Sequence, residues 1–468
     1  AHDKFPTFFY MILFLDRVKE SGEFIMSAIG IIGLLVSLAV LILGVFIGFN
    51  PIPVSLLASL VAILTNNVGI WETLSGGYAP SMVSFVGNYL IMFYLGSLLG
   101  SVMSQGGATR TIATTLSRVF GSKRCLLIVV LASALMSYGG ISVFVIVFAV
   151  YPIALILAKE ADIPKRLLPG YMMLGAGTFT MTALPGTPAL TNIIPTRYLG
   201  TTSTAAPMLG IAAALAMLVC GLIFHTIYER KLVAKGEHFI AGAKDDVHEL
   251  TDEELSKLPG FAISLLPLVV VIAIILGERF LNVGLDSVFT VVIALLAGCI
   301  IGYILYWNKL DTHLRKDMIN TSSASGVTAL MNTASVVGFG GTIRAVPAFQ
   351  SFVSFALSID LAPLITAAIA VNIIAGITGS SSTGITIFME SLAQGFLDKG
   401  VNPQVLHRVS SIAAGVLDSL PHAGPNVTIL AVTGLTYRQG YPGVFISTCL
   451  VPFCGLIVAI VLASFGLV

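Results

Sequence analysis

Charge is what this sequence has least of. Only 10% of its 468 residues are charged and 56% are hydrophobic, whereas a soluble domain carries about 25% charged residues. Many runs of about 20 residues are almost free of charge, for example 26–48, 288–306 and 444–468. Each can cross a bilayer core of about 30 Å as a helix. The sequence therefore predicts an all-α polytopic membrane protein embedded in a lipid bilayer.

Motifs for metal, nucleotide or covalent chemistry are also missing. The five cysteines occur singly, without a CxxC pair, and there is no HExxH, GxSxG or P-loop pattern. The net charge of +1 and the lack of a basic block argue against a nucleic-acid partner. We therefore expect no enzyme, no metal site and no bound cofactor.

Two polar stretches divide the chain. The apolar start, FPTFFYMILFL, is about half the length of a span and no small-residue cleavage site follows it, so we interpret 1–25 as an interfacial or leader segment. The charge-dense interval 229–258 separates two apolar parts of similar length. It predicts a cytoplasmic linker between a first repeat, 26–228, and a second repeat, 259–468.

The two halves carry the same order of interruptions. Each has an apolar run broken at glycine and serine, 123–160 and 360–398, followed by a run broken between prolines, 167–196 and 405–433. Such breaks free backbone groups that only protein or a water-filled cavity can satisfy at membrane depth. Paired breaks are typical of transporters built from inverted repeats. We predict two inverted-topology repeats, each with a re-entrant hairpin and a broken transmembrane helix, and these four segments form a transport domain against a scaffold.

Positive charges orient the repeats. If 123–160 enters and leaves on one face, that face should be cytoplasmic because positive residues collect there. The charges that mark it are Lys123, Arg124, Lys159, Lys165 and Arg166. The linker then also lies inside, and the second hairpin opens on the opposite face.

The hairpin tips are candidate anion sites. Serine and glycine make a poor helix interior, but at a tip they present hydroxyls, free N–H groups and the positive end of the following helix. The candidates are Ser137, Tyr138, Gly139 and Gly140 in the first tip, and Gly379, Ser380, Ser381, Ser382 and Thr383 in the second.

The proline-flanked breaks add polar groups that can face a cavity. Threonines there can instead bond to their own helix backbone, so a structural role stays open for them. The candidate substrate contacts are Gly186, Thr187, Thr191 and Asn192 in ALPGTPALTN, and His422 and Asn426 in DSLPHAGPN.

An acid within an apolar run points to coupling. A charged Asp near the bilayer centre costs upward of about 2.5 kcal/mol, so we predict that Asp418 carries a coupled ion, with His422 four residues on as its partner. The alternative is a neutral, hydrogen-bonded pair that joins two helices. Glu390 is a further candidate for coupling. Arg344 either meets a substrate carboxylate or lies at the outer interface with its cation in water.

Three segments resemble the gluconate:proton symporter (gluconate permease) family, particularly its branch for short hydroxy acids such as 3-hydroxybutyrate. They are SLPHAGPNVTILAVTGLTYRQGY, GGISVFVIVFAVYPIALILAKEADIPKRLLPG and MSAIGIIGLLVSLAVLILGVFIG. The resemblance covers 26–468. By position, it assigns binding to the tips 137–142 and 379–383 and to the breaks 185–188 and 421–426.

The resemblance implies proton-coupled uptake of a small organic-acid anion across the bacterial cytoplasmic membrane. It also places the chain in the larger ion transporter superfamily, which implies a homodimer and an elevator-type movement of the transport domain. Where gluconate-handling members of the family are more polar after the first tip, this chain has VFVIVFAVYP. That difference favours a smaller, less hydroxylated acid.

Three functions therefore stay open. The first is secondary active transport by proton-coupled symport of a small (hydroxy)carboxylate, working by alternating access. The second is a sodium-coupled carboxylate symporter of the same architecture, since hairpin carbonyls and hydroxyls can coordinate sodium. The third is a channel or a non-transporting membrane subunit, although a channel does not need paired breaks.

Overall fold

The computed structural model describes residues 28–121, 124–138, 143–187, 189–242, 245, 258–281, 287–310, 312–351 and 361–468. Within these ranges the regular structure is helical and no strand occurs, which confirms the all-α prediction. The segment 1–25 and most of the second half of the linker lie outside the described residues.

Helices of the first half lie between residues 28 and 233. In chain order they are α1 (Ala28–Ile47), α2 (Pro51–Thr65), α3 (Ile70–Thr73), α4 (Ala79–Gln105), α5 (Ala108–Phe120), α6 (Cys125–Tyr138), α7 (Val143–Glu160), α8 (Leu168–Ala176), α9 (Phe179–Thr182), α10 (Leu190–Leu199) and α11 (Pro207–Val233).

Helices of the second half begin at residue 261. They are α12 (Phe261–Leu281), α13 (Ser287–Leu305), α14 (Thr312–Ala345), α15 (Pro363–Thr378), α16 (Ser381–Ser391), α17 (Ala393–Asp398), α18 (Pro403–Ala414), α19 (Gly424–Thr433), α20 (Tyr437–Phe445) and α21 (Val451–Ser464).

Several helices can cross a membrane, which confirms the polytopic prediction. Among the described residues six helical stretches are long and apolar enough, or seven if α5 and α6 are counted together as one bent span. The six are Ala28–Ile47, Ile70–Gln105, Val143–Glu160, Pro207–Val233, Val288–Leu305 and Tyr437–Ser464.

Helix α14 is continuous although it is rich in Ser, Thr and Gly. Its hydroxyls donate to carbonyls one turn earlier, for example Thr328 to Ala324 at 2.7 Å and Thr333 to Ala329 at 2.9 Å, so few polar groups stay unsatisfied. Small residues bring it close to α4: a Cβ added at Gly326 would lie 3.0 Å from the Phe93 carbonyl oxygen. The close packing places the end of α14 beside the start of α4.

Both proline-flanked runs are interrupted. In the first, α8 ends at Ala176, a single helical turn follows, and α10 begins only at Leu190. In the second, α18 ends at Ala414 and α19 begins at Gly424, with non-helical backbone between them. These stretches leave polar side chains and backbone groups free to face other parts of the protein.

Described residues of the linker pack near the C-terminal end of α7 and the N-terminal end of α8. Lys165 and Asp245 form a buried ion pair at 2.6 Å, and the Tyr151 hydroxyl donates to the same carboxylate at 2.9 Å. At the surface, a hydrogen bond from His238 holds the pKa of the Asp162 carboxyl below its ordinary value. These contacts hold the segment between α7 and α8 in place, which leads into the proline-flanked run 167–196.

Candidate functional site

A cavity of about 270 Å³ lies where the two halves of the chain meet. Its walls come from α4, the start of α7, the proline-flanked run 167–196, α14, the turn between α15 and α16, and the break before α19. The polar residues that line it are Arg344, Thr378, Ser380, Ser381, Ser382, Thr383, Asp418, Ser419 and His422. Predicted residues from the second tip and the second break therefore share one cavity.

The turn between α15 and α16 forms one side of this cavity. Gly379 ends α15 in the left-handed conformation, with φ of +60°, and Ser380 caps α16 by accepting a hydrogen bond from the Thr383 N–H at 3.3 Å. The first turn of a helix carries unpaired N–H groups and a partial positive charge. Because these residues line the cavity, its wall is suited to an anion.

Asp418 lies at this positive helix end. Its side chain is buried, with 7% of the residue exposed, and it accepts a hydrogen bond from the Ser419 hydroxyl at 2.9 Å. The hydroxyl and the backbone N–H of Ser381 also face the carboxylate. The protein's own acid therefore lies at the α16 N-terminus, where an anionic ligand would also be stabilised.

His422 is buried in the cavity wall and only 1% exposed. Its ring lies near the carbonyls of Gly376 and Ile377, but neither ring nitrogen is in hydrogen-bond geometry with any described group. The alternative of a hydrogen-bonded pair with Asp418 is thus absent from this structure. Buried polar groups are normally hydrogen-bonded, so a buried His without such a bond marks this part of the cavity wall as a candidate functional position.

Gly379 and His422 are in tight contact, and this gives a testable expectation. A Cβ added at Gly379 would lie 2.8 Å from the His422 ring, in a backbone conformation that disfavours any side chain. We expect Gly379→Ala to displace the turn and reduce the initial rate of substrate uptake by at least about tenfold, because misplacing a binding group by about 1 Å has effects of that order.

The matched control is Gly434→Ala. Gly434 has nearly the same φ, +64°, but an added Cβ there would meet nothing within 4 Å. It tests backbone strain alone, and its uptake rate should stay within about twofold of the parent. Equal losses in the two variants would mean that the contact with His422 is unimportant.

An aromatic wall also lines the cavity. Phe85 and Tyr89 from α4 pack together with ring centroids 4.7 Å apart, and Phe144 from α7 lies 5.7 Å and 5.9 Å from them. Val336, Val337 and two methionines continue this surface. The cavity is therefore amphipathic, because its lining combines donors and an acid with hydrocarbon.

Arg344, in the last turn of α14, also lines the cavity. Its guanidinium donates to the Ser81 hydroxyl at 3.2 Å, and within the part of the chain that the structure describes it forms no ion pair. Arg344 is exposed and also lines the cavity, so both of its predicted positions stay open.

The first break holds a separate polar cluster built around Asn192. The Asn192 amide donates to the carbonyls of Thr187 and Ser203, both at 2.8 Å. Its oxygen accepts from Arg408 at 3.0 Å and pairs with the His407 ring at 3.1 Å. All five residues are described, and none of them lines the cavity. Because Asn192 belongs to α10 and both His407 and Arg408 belong to α18, the cluster joins these two helices.

Arg408 is the most unexpected member of this cluster. It is fully buried, and its acceptors are neutral carbonyl oxygens: besides Asn192 it donates to Ala205 at 2.7 Å and to Ser203 at 3.3 Å. Sequence reasoning missed it, although a lone Arg inside the apolar run at 405–433 was a visible signal.

Other predicted contacts lie near the first break rather than in the cavity wall. Ser137 donates to the Ala176 carbonyl at 2.9 Å, the Tyr138 hydroxyl to Pro185 at 3.1 Å, and Thr191 to Met181 at 2.8 Å. The backbone N–H of Gly186 donates to Ser203. Gly139 and Gly140 lie outside the described residues.

Two further candidates lie apart from the cavity lining. Asn426 closes the second break by donating to the Ser419 carbonyl at 2.7 Å and to Leu420 at 3.0 Å. Glu390 is exposed and accepts from the Tyr198 hydroxyl at 3.1 Å. Of the three predicted coupling residues, the structure brings Asp418 and His422 into the cavity and leaves Glu390 outside it.

Comparisons with known proteins agree with the membrane architecture. A model of the GntP family permease matches residues 24–463. The chain belongs to this family. The relatives include an uncharacterized transporter, YxjC, of Bacillus subtilis (strain 168), 35% identical over 89% of this chain and 95% of its own length. A gluconate permease of Bacillus licheniformis is 29% identical over 51% of this chain and 50% of its own length.

As a GntP family permease, the protein is a membrane transporter and not an enzyme, as predicted. A crystal structure of the Alcanivorax borkumensis YdaH transporter covers 83% of this chain and 88% of its own, with 16% identity and a TM-score of 0.39. A score this low does not establish a common fold. The family assignment rests on the sequence match over nearly the whole chain.

Proposed function

We propose that this permease is a proton-coupled symporter of a small organic monocarboxylate or hydroxycarboxylate. The observation that carries the proposal is the position of Asp418 at the N-terminus of α16, within a cavity that also contains His422. The substrate anion and the acid that binds the proton therefore compete for the same hydrogen-bond donors.

The substrate's carboxylate is assigned to the first turn of α16. The Ser382 N–H and the hydroxyls of Ser381 and Ser382 provide donors there, as at other helix N-termini that bind anions. His422 also lines the cavity, in contact with Gly379, and its imidazole suits a hydroxyl or a second carboxylate oxygen of the substrate. The short hydrocarbon part then packs on the aromatic wall, which favours a small acid over a polyol.

Coupling follows from competition between two anions. If the substrate carboxylate lies about 4 Å from an ionised Asp418, the repulsion is about 4 kcal/mol at an effective dielectric constant of about 20. A proton on Asp418 removes this repulsion and frees the donors of Ser381 for the substrate. Binding of the anion and binding of the proton therefore favour each other, and symport depends on such coupling.

Movement is assigned to the interrupted segments. Helices α15 and α16 contain 16 and 11 residues, or about 24 Å and 16 Å, and each is too short to cross the bilayer. They support a re-entrant hairpin, and the paired breaks support inverted repeats. We propose that these segments move as a transport domain by an elevator-type mechanism, in a homodimer in the bacterial cytoplasmic membrane.

Uptake into proteoliposomes tests the proposal, with labelled 3-hydroxybutyrate and gluconate as probes and protein-free liposomes as the control for passive diffusion. We expect accumulation of 3-hydroxybutyrate, and less of gluconate, when the outside is acidic, with loss of accumulation on adding a protonophore. Accumulation that follows a sodium gradient instead would favour the sodium-coupled alternative. Flux that no gradient can concentrate would contradict both and favour a channel.

A further inference from the structure

A second hollow, of about 370 Å³, adjoins the cavity. The two share four lining residues: Phe85, Tyr89, Val337 and Arg344. The hollow is more open than the cavity and its remaining lining belongs to the start of α4: Pro80, Ser81, Ser84 and Asn88. Neither the family assignment nor the proposed transport site gives this hollow a role.

The residues of this lining occupy one face of α4. Positions 81, 84, 85, 88 and 89 repeat at three- and four-residue spacing, so their side chains point the same way. Ser81, Ser84 and Asn88 bring hydroxyl and amide donors to the hollow. Phe85 and Tyr89 lie between these donors and the cavity because they line both spaces.

Arg344 supplies the charge of this hollow. No acidic residue lines it in the described parts of the chain, and the guanidinium is held by a single hydrogen bond, to the Ser81 hydroxyl. A guanidinium presents a planar fork of donors that matches a carboxylate. Within the described residues the other donors of this fork have no hydrogen-bond partner, so they can bind an incoming anion.

We propose that this hollow is an entry site for organic carboxylates, where Arg344 captures the anion before it passes Phe85 and Tyr89 into the cavity. This inference rests on the proposed function, since it assumes that the cargo is an anion. The entry site differs from the cavity in one respect: it holds no acid, so it binds a carboxylate without a coupled proton. Positive charge in this hollow also raises the local concentration of anions.

Chemical labelling of a cysteine in the hollow tests directly whether Arg344 makes the hollow attract anions. Ser84 is exposed, and Ser84→Cys replaces one oxygen by sulfur. The purified full-length protein in detergent is treated with methanethiosulfonates that carry either a sulfonate or a trimethylammonium group, and the labelled peptide is quantified by mass spectrometry. We expect the anionic reagent to be preferred, and Arg344→Gln to lower the anion-to-cation rate ratio by roughly tenfold.

The control for this experiment is Thr202→Cys. Thr202 is an exposed residue between α10 and α11 that lines neither space, so its rate ratio should not change with Arg344→Gln. Arg344→Lys should keep the anion preference at Ser84→Cys, because it keeps the charge. An unchanged ratio in Arg344→Gln, or an equal fall at the control position, would overturn the proposal.

Occupancy by a carboxylate is the second measurement. Butyrate, but not the neutral butyramide, should slow labelling of Ser84→Cys by the anionic reagent, and Arg344→Gln should remove this protection. Equal effects of the two compounds would overturn the assignment of a carboxylate site. The labelling needs no transport, so a failure of symport and a failure of this entry site are separate results.

Discussion

Replacing Asp418 with Asn is expected to abolish proton-driven accumulation of substrate. The amide keeps the size of the side chain and its contact with Ser419, but it cannot exchange a proton. Without that exchange, substrate binding is no longer linked to the pH gradient, and the internal concentration should reach only the external one. Substrate exchange without a gradient should continue, because an amide mimics the protonated acid.

The matched control is Glu390→Gln, which makes the same chemical change at an exposed acid outside the cavity. This variant should accumulate substrate in a pH gradient as well as the parent protein does. Both variants are measured in proteoliposomes with equal amounts of incorporated protein. Accumulation by Asp418→Asn together with its loss in Glu390→Gln would transfer the coupling role to Glu390.

The second large effect concerns stability. We expect Arg408→Met to lower the free energy of unfolding by about 1–3 kcal/mol, because a buried acceptor left unsatisfied costs about that much. The substitution removes both donors that the Ala205 carbonyl receives from Arg408, whereas the Ser203 carbonyl keeps the Asn192 amide and the Gly186 N–H. The substitution also removes the hydrogen bond from Arg408 to Asn192 that holds α18 against α10. The residues of the first break should therefore shift.

Thermal unfolding in detergent measures this effect, followed by a thiol-reactive dye that reports on exposure of the buried Cys125, Cys299 and Cys449. Arg230→Met removes an exposed Arg from the end of α11 and should change stability by less than about 0.5 kcal/mol. Arg408→Lys keeps the charge with fewer donors and should lie between. An Arg408→Met variant as stable as the parent would show that the Ala205 carbonyl finds another donor.

Local sequence was sufficient to predict where helices are interrupted. Glycine at the end of α15, Pro421 within the α18–α19 break and Pro425 in the first turn of α19 disfavour continuous helix through their own backbone preferences. Those preferences do not depend on tertiary contacts, so the pattern could be interpreted directly. Gly379 and the residues near Pro421 adopt non-helical backbone in the structure as the pattern predicted.

Which polar group faces the cavity could not be predicted in the same way. Asn192 follows the first proline-flanked break and His422 lies within the second, but packing turns Asn192 towards Arg408 and turns His422 towards Gly379. Arg344 is beside the cavity because glycines in α14 permit close approach to α4, and that distance is a tertiary property. The aromatic wall is likewise formed only when α7 packs on α4.

Calorimetry of substrate binding tests the central claim, that a proton and the substrate anion bind together at Asp418. Titrating the parent protein with 3-hydroxybutyrate in two buffers of different ionisation enthalpy gives the number of protons taken up per bound anion. At a pH where Asp418 is ionised in the empty protein, we predict about one proton for the parent and none for Asp418→Asn. Binding without proton uptake by the parent, or the same uptake by the variant, would contradict the account.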